Sequence, residues 1–220
     1  MRRFLKENGL TLTLLAIFAV SLIGQAVAGW YTHGEEVRHH GHTVPGFAAY
    51  LASGHFLSAV FENWESEFLQ MAAYVMLTAW LFQKGSPESK DLDGPNPEDE
   101  LKPADRRKRD APWPVRKGGL VLQVYSHSFG AALTLLFAGS FVAHALASHR
   151  RSNEEALLHN ETPKSFGDTL GGAEFWYESF QNWQSEFLSI AVLLILSIYL
   201  RERGSPESKP VASPHAETGR

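Results

Sequence analysis

Phe61-Glu62-Asn63-Trp64-Glu65-Ser66-Glu67-Phe68-Leu69 and Phe180-Gln181-Asn182-Trp183-Gln184-Ser185-Glu186-Phe187-Leu188 are one motif written twice, 119 residues apart. A second motif follows each at the same offset: Gly85-Ser86-Pro87-Glu88-Ser89-Lys90 and Gly204-Ser205-Pro206-Glu207-Ser208-Lys209. Between residues 61–90 and 180–209, 16 of 30 positions are identical without a gap. The offset holds upstream, pairing Phe18 with Phe137, Ser21 with Ser140, Glu35-Glu36 with Glu154-Glu155, and His40 with His159. The chain therefore reads as two tandem copies of one unit.

Each copy carries two apolar runs. A helix needs about 20 residues to cross the hydrocarbon core of a bilayer. Runs near 10–30 and 120–147 reach that length outright; those near 68–82 and 187–200 reach it only by including the aromatic, acidic segments 61–67 and 180–186, which gives expected helices near 62–83 and 181–203. The mean hydropathy of −0.18 averages these runs with very polar connections. Arg2-Arg3 followed by an apolar run and Ala26-Val27-Ala28 has the look of a signal peptide, but its counterpart in mid-chain favours a membrane helix. The expected fold is an all-α membrane protein with four transmembrane helices, arranged as two parallel helix–loop–helix repeats. Repeat 1 is 1–84, a disordered linker 85–118, repeat 2 is 119–203, and a disordered tail 204–220. Two crossings per copy return the chain to its starting side, so the copies are parallel and related by a pseudo-two-fold axis along the membrane normal.

Lys and Arg set the orientation. They concentrate at the N-terminus, in the linker (Lys84 to Lys117) and after Leu200. The two other loops hold only Arg38 in one and Arg150, Arg151 and Lys164 in the other. Both termini and the linker are expected in the cytoplasm of a bacterial cell, with the protein multipass in the inner membrane. The net charge of −4 supplies no field for nucleic acid, and the absence of cysteine excludes disulfides, thiolate metal sites and cysteine nucleophiles. The linker, rich in Pro and charge, cannot bury a core.

The duplicated Asn-Trp-x-Ser-Glu-Phe-Leu and Gly-Ser-Pro-Glu-Ser-Lys motifs resemble an uncharacterised bacterial multipass membrane family known by a domain-of-unknown-function label. The resemblance spans nearly the whole chain outside the linker and tail. It implies a multipass protein of the cell envelope and carries no activity, substrate or catalytic residue.

The residues that can carry chemistry lie near the heads of the second and fourth helices. Asn63, Glu67, Gln70 and Tyr74 recur at helical spacing as one polar stripe, and Asn182, Glu186 and Ser189 repeat it. Glu62 and Glu65 become Gln181 and Gln184 in the second copy, whereas Glu67 and Glu186 stay acidic in both. A carboxylate within a membrane helix is costly and marks a functional position by default. Gln25 and its counterpart His144 are expected at a similar depth. Glu67, Glu186, His144, Gln25, Asn63 and Asn182 are therefore the candidates for binding an ion or proton, with Glu67 and Glu186 facing inward. Trp64 and Trp183 read as interfacial anchors, next to short amphipathic segments lying on the membrane. His39-His40-Gly41-His42 is a weak metal-binding candidate in the first external loop. Gly85 and Gly204 fit helix C-cap glycines.

No nucleophile elbow, phosphate loop or metalloprotease motif is present, and no cofactor is required. The expected function is that of a non-enzymatic accessory or self-associating envelope protein. Its partners are the lipid bilayer and a second copy or another membrane protein. The alternatives are a small ion, proton or divalent-metal transporter or channel using Glu67 and Glu186, and a metal-dependent or redox membrane enzyme.

Overall fold

The computed structural model describes residues 2–219 and is all-helical, with no strand among the described residues. Its elements are α1 (Arg2–Glu7), α2 (Gly9–His39), α3 (Phe47–Leu51), α4 (Gly54–Thr78), α5 (Trp113–Lys117), α6 (Gly119–Ser126), α7 (Ser128–Leu158), α8 (Phe166–Gly171) and α9 (Ala173–Tyr199). The linker holds two 3-10 turns, Pro97–Asp99 and Asp105–Arg107.

Three helices, α2, α7 and α9, are long and apolar enough to cross a membrane. The fourth expected span, α4, is not among them, and its limits explain why. The helix stops at Thr78, so the apolar residues Ala79 to Phe82 fall in the turn beyond it, while Glu62, Glu65 and Glu67 remain inside. Both returning helices start earlier than hydropathy suggested, at Gly54 and Ala173. Segments 61–67 and 180–186 are thus mid-helix rather than separate pieces laid on a surface. Helices α2 and α7 run past the apolar stretch, to His39 and Leu158, because the polar residues that follow contain no proline. The expected helix over 120–147 is interrupted at His127, where α6 ends and α7 begins; Asn8 makes the equivalent break between α1 and α2.

The outgoing helices stop the same way. Gly41 takes a left-handed φ of 76°, with His42 N–H donating to Val37 O at 3.1 Å. Asn160 takes a φ of 57°, with Glu161 N–H donating to Ala156 O at 2.7 Å. Glycine and asparagine are the residues that enter this conformation most cheaply, and the six-to-one bond satisfies a helix-end carbonyl.

The chain divides into two compact units, residues 1–61 with 142–176 and residues 62–141 with 177–220. In the first, the head of α4 lies against α7. Gly54 N–H donates to Glu154 Oε2 at 2.9 Å, and a Cβ on Gly54 would sit 2.2 Å from Arg151 N. Ser58 and Ser148 share a buried hydroxyl contact of 2.8 Å. His144, fully buried, stacks on Phe175 at 4.8 Å between ring centres.

In the second unit the two Gly-Ser-Pro-Glu-Ser-Lys segments make matching turns. Ser89 Oγ accepts from Gln83 N–H at 2.8 Å and Ser208 Oγ from Glu202 N–H at 2.9 Å. Ser86 and Ser205 hydroxyls each accept from the amide two residues on at 3.1 Å. Gly85 and Gly204 are left-handed, at φ of 86° and 91°, but in turns beyond the helix ends rather than at the caps themselves. The tail, for which composition suggested no fixed structure, bends back. The buried Lys209 ammonium donates to the carbonyls of Pro214, His215 and Glu217, and Gly219 N–H donates to Ser86 O at 3.0 Å.

The two turn glycines should respond differently to a side chain. A left-handed alanine costs about 1–2 kcal/mol at either position. Only at Gly85 would the new Cβ also meet a neighbour, 2.6 Å from His215 O, whereas Gly204 has open space. Gly85→Ala should therefore expose the tail to limited proteolysis faster than Gly204→Ala. Equal cleavage rates would disprove the docking.

Candidate functional site

The polar residues of the repeated motif meet where α4 faces α9 in the second unit. Glu65 is fully buried, and Trp183 Nε1–H donates to its Oε1 at 3.1 Å. Asn182 donates its amide to the Glu62 carboxylate and to Glu178 O, the latter at 3.2 Å. Gln70, also buried, donates from Nε2 to Glu186 O at 2.9 Å and to Ser189 Oγ at 3.0 Å. The Trp183 ring packs edge-on to Phe180 and Phe137 at 5.4 and 6.5 Å. Each of these bonds joins a donor on one helix to an acceptor on the other or to its own backbone. Such an arrangement satisfies buried polar groups and fixes how two helices lie together.

The inward face of α4 shares Gln70 with the stripe expected from sequence but otherwise takes neighbouring residues. Glu65, Ser66 and Gln70 are buried; Asn63 and Glu67 are exposed, and Glu186 is half-exposed. Glu62 and Glu65 were set aside because the second copy has Gln there, yet they carry the contacts. The asymmetry itself was the available signal: an acid on one helix faces an Asn or Trp donor on the other. Trp64 is half-buried. Gln25, half-buried on α2, and His144 belong to the first unit, and Glu67 and Glu186 to the second.

The first unit brings together a different set. His33 and Glu36 lie one turn apart on α2, and His55 is in the first turn of α4, ahead of the apolar stretch. One ligand atom from each lies within 4.8 Å of the others. His33 Nδ1 is 3.6 Å from Glu36 Oε2, and the two imidazole rings are 4.7 Å apart. The Tyr50 hydroxyl lies 3.3 Å from His55 Nδ1. Burial raises the Tyr50 phenol above its ordinary value. Burial, and then the neighbouring His33, pushes the His55 imidazole below its own. Nothing in the sequence spacing announces that residue 55 returns to residue 33. His39, His40 and His42 are exposed at the end of α2, where the His40 ring meets that of His159 at 4.6 Å.

Among known proteins, the family profile described as a domain of unknown function, DUF6766, matches residues 1–220. The chain belongs to that family. No curated protein and no solved structure matches.

Trp183→Phe keeps the ring and removes the donor to buried Glu65. Interhelical hydrogen bonds within membranes contribute about 0.6 to 1.7 kcal/mol. Unfolding in detergent micelles should show a loss of about that size for Trp183→Phe. Glu67→Gln, on an exposed side chain, should shift the midpoint little. Reversal of that order would mean the acidic motif works through Glu67 after all.

Proposed function

We propose that the chain is an integral protein of a bacterial inner membrane, built as two tandem copies of one helix–loop–helix unit. Its role is non-enzymatic, that of an accessory or self-associating envelope protein. One observation carries this: the buried polar side chains of the repeated motif are used in bonding α4 to α9. The outer surfaces suit a lipid partner. Leu10, Ile17, Val20, Leu135, Val142, Leu193 and Ile195, among many others, are exposed.

The duplication is supported by element boundaries. α2, α3, α4 and their later counterparts α7, α8, α9 begin at residues 9, 47, 54 and 128, 166, 173, an offset of 119 each time. The breaks at Asn8 and His127 obey the same offset. A fourth crossing by α4 is compatible with two of its three acids, because Glu65 is buried against a Trp183 donor and Glu62 holds Asn182. Neither of these two acids has to be carried bare into hydrocarbon. With four crossings, the distribution of Lys and Arg puts both termini and the linker in the cytoplasm.

Because the natural chain lacks cysteine, single cysteines report topology directly. Cysteines replacing His42 and Thr162 should react with a membrane-impermeant maleimide applied outside intact spheroplasts. Those replacing Asp93 and Val211 should react only after lysis. An externally reactive residue 93 would overturn the orientation and the fourth crossing together. The purified chain in lipid nanodiscs or vesicles should show neither proton nor divalent-cation flux. A flux abolished by the double substitution Glu67→Gln and Glu186→Gln would replace the accessory role with transport.

A further inference from the structure

We infer that His33, Glu36 and His55 form a binding site for one divalent transition-metal ion of the zinc type. Two imidazoles and one carboxylate are a donor set that zinc and its neighbours in the transition series favour over calcium or magnesium. Tetrahedral zinc with bonds of roughly 2.1 Å needs its ligand atoms about 3.4 Å apart. The His33–Glu36 pair already stands at 3.6 Å, and no pair exceeds 4.8 Å, so side-chain rotation of about an ångström closes the set. The fourth position is left to water or another ligand.

Independent observations point to an occupant. His33 is only 8% exposed, and its Nδ1 is buried without a hydrogen-bond partner on the side where Glu36 lies. Buried polar atoms without a protein partner are rare unless a bound water or ion satisfies them. The surroundings are also built to hold the rings. Tyr50, 2% exposed, reaches His55 Nδ1, and it can do so because residue 29 is glycine: a Cβ there would lie 2.2 Å from the Tyr50 hydroxyl. An outer hydrogen bond that fixes a ligating histidine is a recurrent feature of metal sites.

The second half of the chain supplies an internal control, which rests on the proposed duplication; the ligand set itself does not. At an offset of 119, Glu36 becomes Glu155, His55 becomes Glu174 and His33 becomes Ser152. There, Arg151 reaches both carboxylates, with nitrogens 3.6 Å from Glu155 Oε1 and 3.6 Å from Glu174 Oε1. A protein cation thus occupies the second location. Its counterpart in the first copy is Thr32, which brings no charge. Where the guanidinium is missing, two histidines stand instead, so the position that takes a built-in cation in one copy is left to a metal ion in the other.

The test uses the full-length protein in detergent, purified without a histidine tag and stripped with a chelator. Titration with ZnCl2 should show one tight equivalent per chain. Co2+ in its place should give the visible ligand-field bands of a low-symmetry site with nitrogen donors. His33→Ala, Glu36→Gln and His55→Gln should each abolish the tight equivalent. Tyr50→Phe should weaken it about 10- to 100-fold. The triple variant His39→Ala, His40→Ala, His42→Ala should retain it. Circular dichroism would establish which variants fold, and the cobalt spectrum of the natural protein decides the matter should the ligand variants misfold. The inference fails if the natural protein takes up no equivalent, if the ligand variants bind as before, or if the triple variant alone loses binding. Loss of cytoplasmic exposure at residue 93 would refute the topology and leave the metal result standing.

Discussion

A buried carboxylate that needs a donor is the constraint on which this protein depends. Glu65 has no contact with solvent, and the indole N–H of Trp183 points at it from another helix. Removing an ionisable group from water without compensation is among the most expensive steps in folding. Once Glu65 is inside, α9 has to place Trp183 opposite it, and the azimuth and height of both helices are fixed together. Gln70 with Ser189 and Asn182 with Glu62 then fall into register along the same seam. Dispersion between apolar side chains would not select this arrangement, since lipid tails offer the same contacts as Leu or Ile. The polar pairs supply the specificity and the apolar residues the solvent compatibility.

Much of the fold was legible because the strongest signals were local. The long apolar runs gave α2, α7 and α9, and left-handed geometry at Gly85 and Gly204 was readable from the Gly-Ser-Pro pattern. What escaped was set by residues that do not touch one another in sequence. Hydropathy locates where a helix is greasy, not where its hydrogen bonds end, so α2 and α7 were foreshortened and α4 was begun too late. Gln70 was legible from the polar stripe, but the burial of Glu65 rests on complementarity between unlike residues, an acid facing an indole, which leaves no shared pattern in the two halves. The histidine cluster was hidden for a related reason. His33 and Glu36 announce a helical neighbour pair, but His55 joins them only because α3 and the turn around it reverse the chain, and no periodicity encodes that return.

Family membership adds no chemistry to this picture, so the assignment of roles rests on geometry. The seam between α4 and α9 is closed by its own partners. The cluster near the end of α2 is not, and it sits on segments joined by short helices and a glycine-dependent tyrosine contact. Stability and a responsive site are thus placed in different parts of the chain: one in the motif that is repeated, the other in residues that differ between its halves.

The bond between Gln70 and Ser189 carries a consequence for the protein's history. These residues are 119 positions apart, which on the proposed duplication makes them the same site in two descendants of one ancestor. In a dimer of identical chains, whatever sits at a symmetry axis must face itself, and every improvement on one side is imposed on the other. Fusion into a single polypeptide lifts that restriction. A long amide can then face a small hydroxyl, an acid can face an indole, and one half can take up histidines where the other keeps an arginine. On the proposed duplication the chain is in effect a heterodimer with permanent one-to-one stoichiometry, free to specialise its halves without ever having to find its partner.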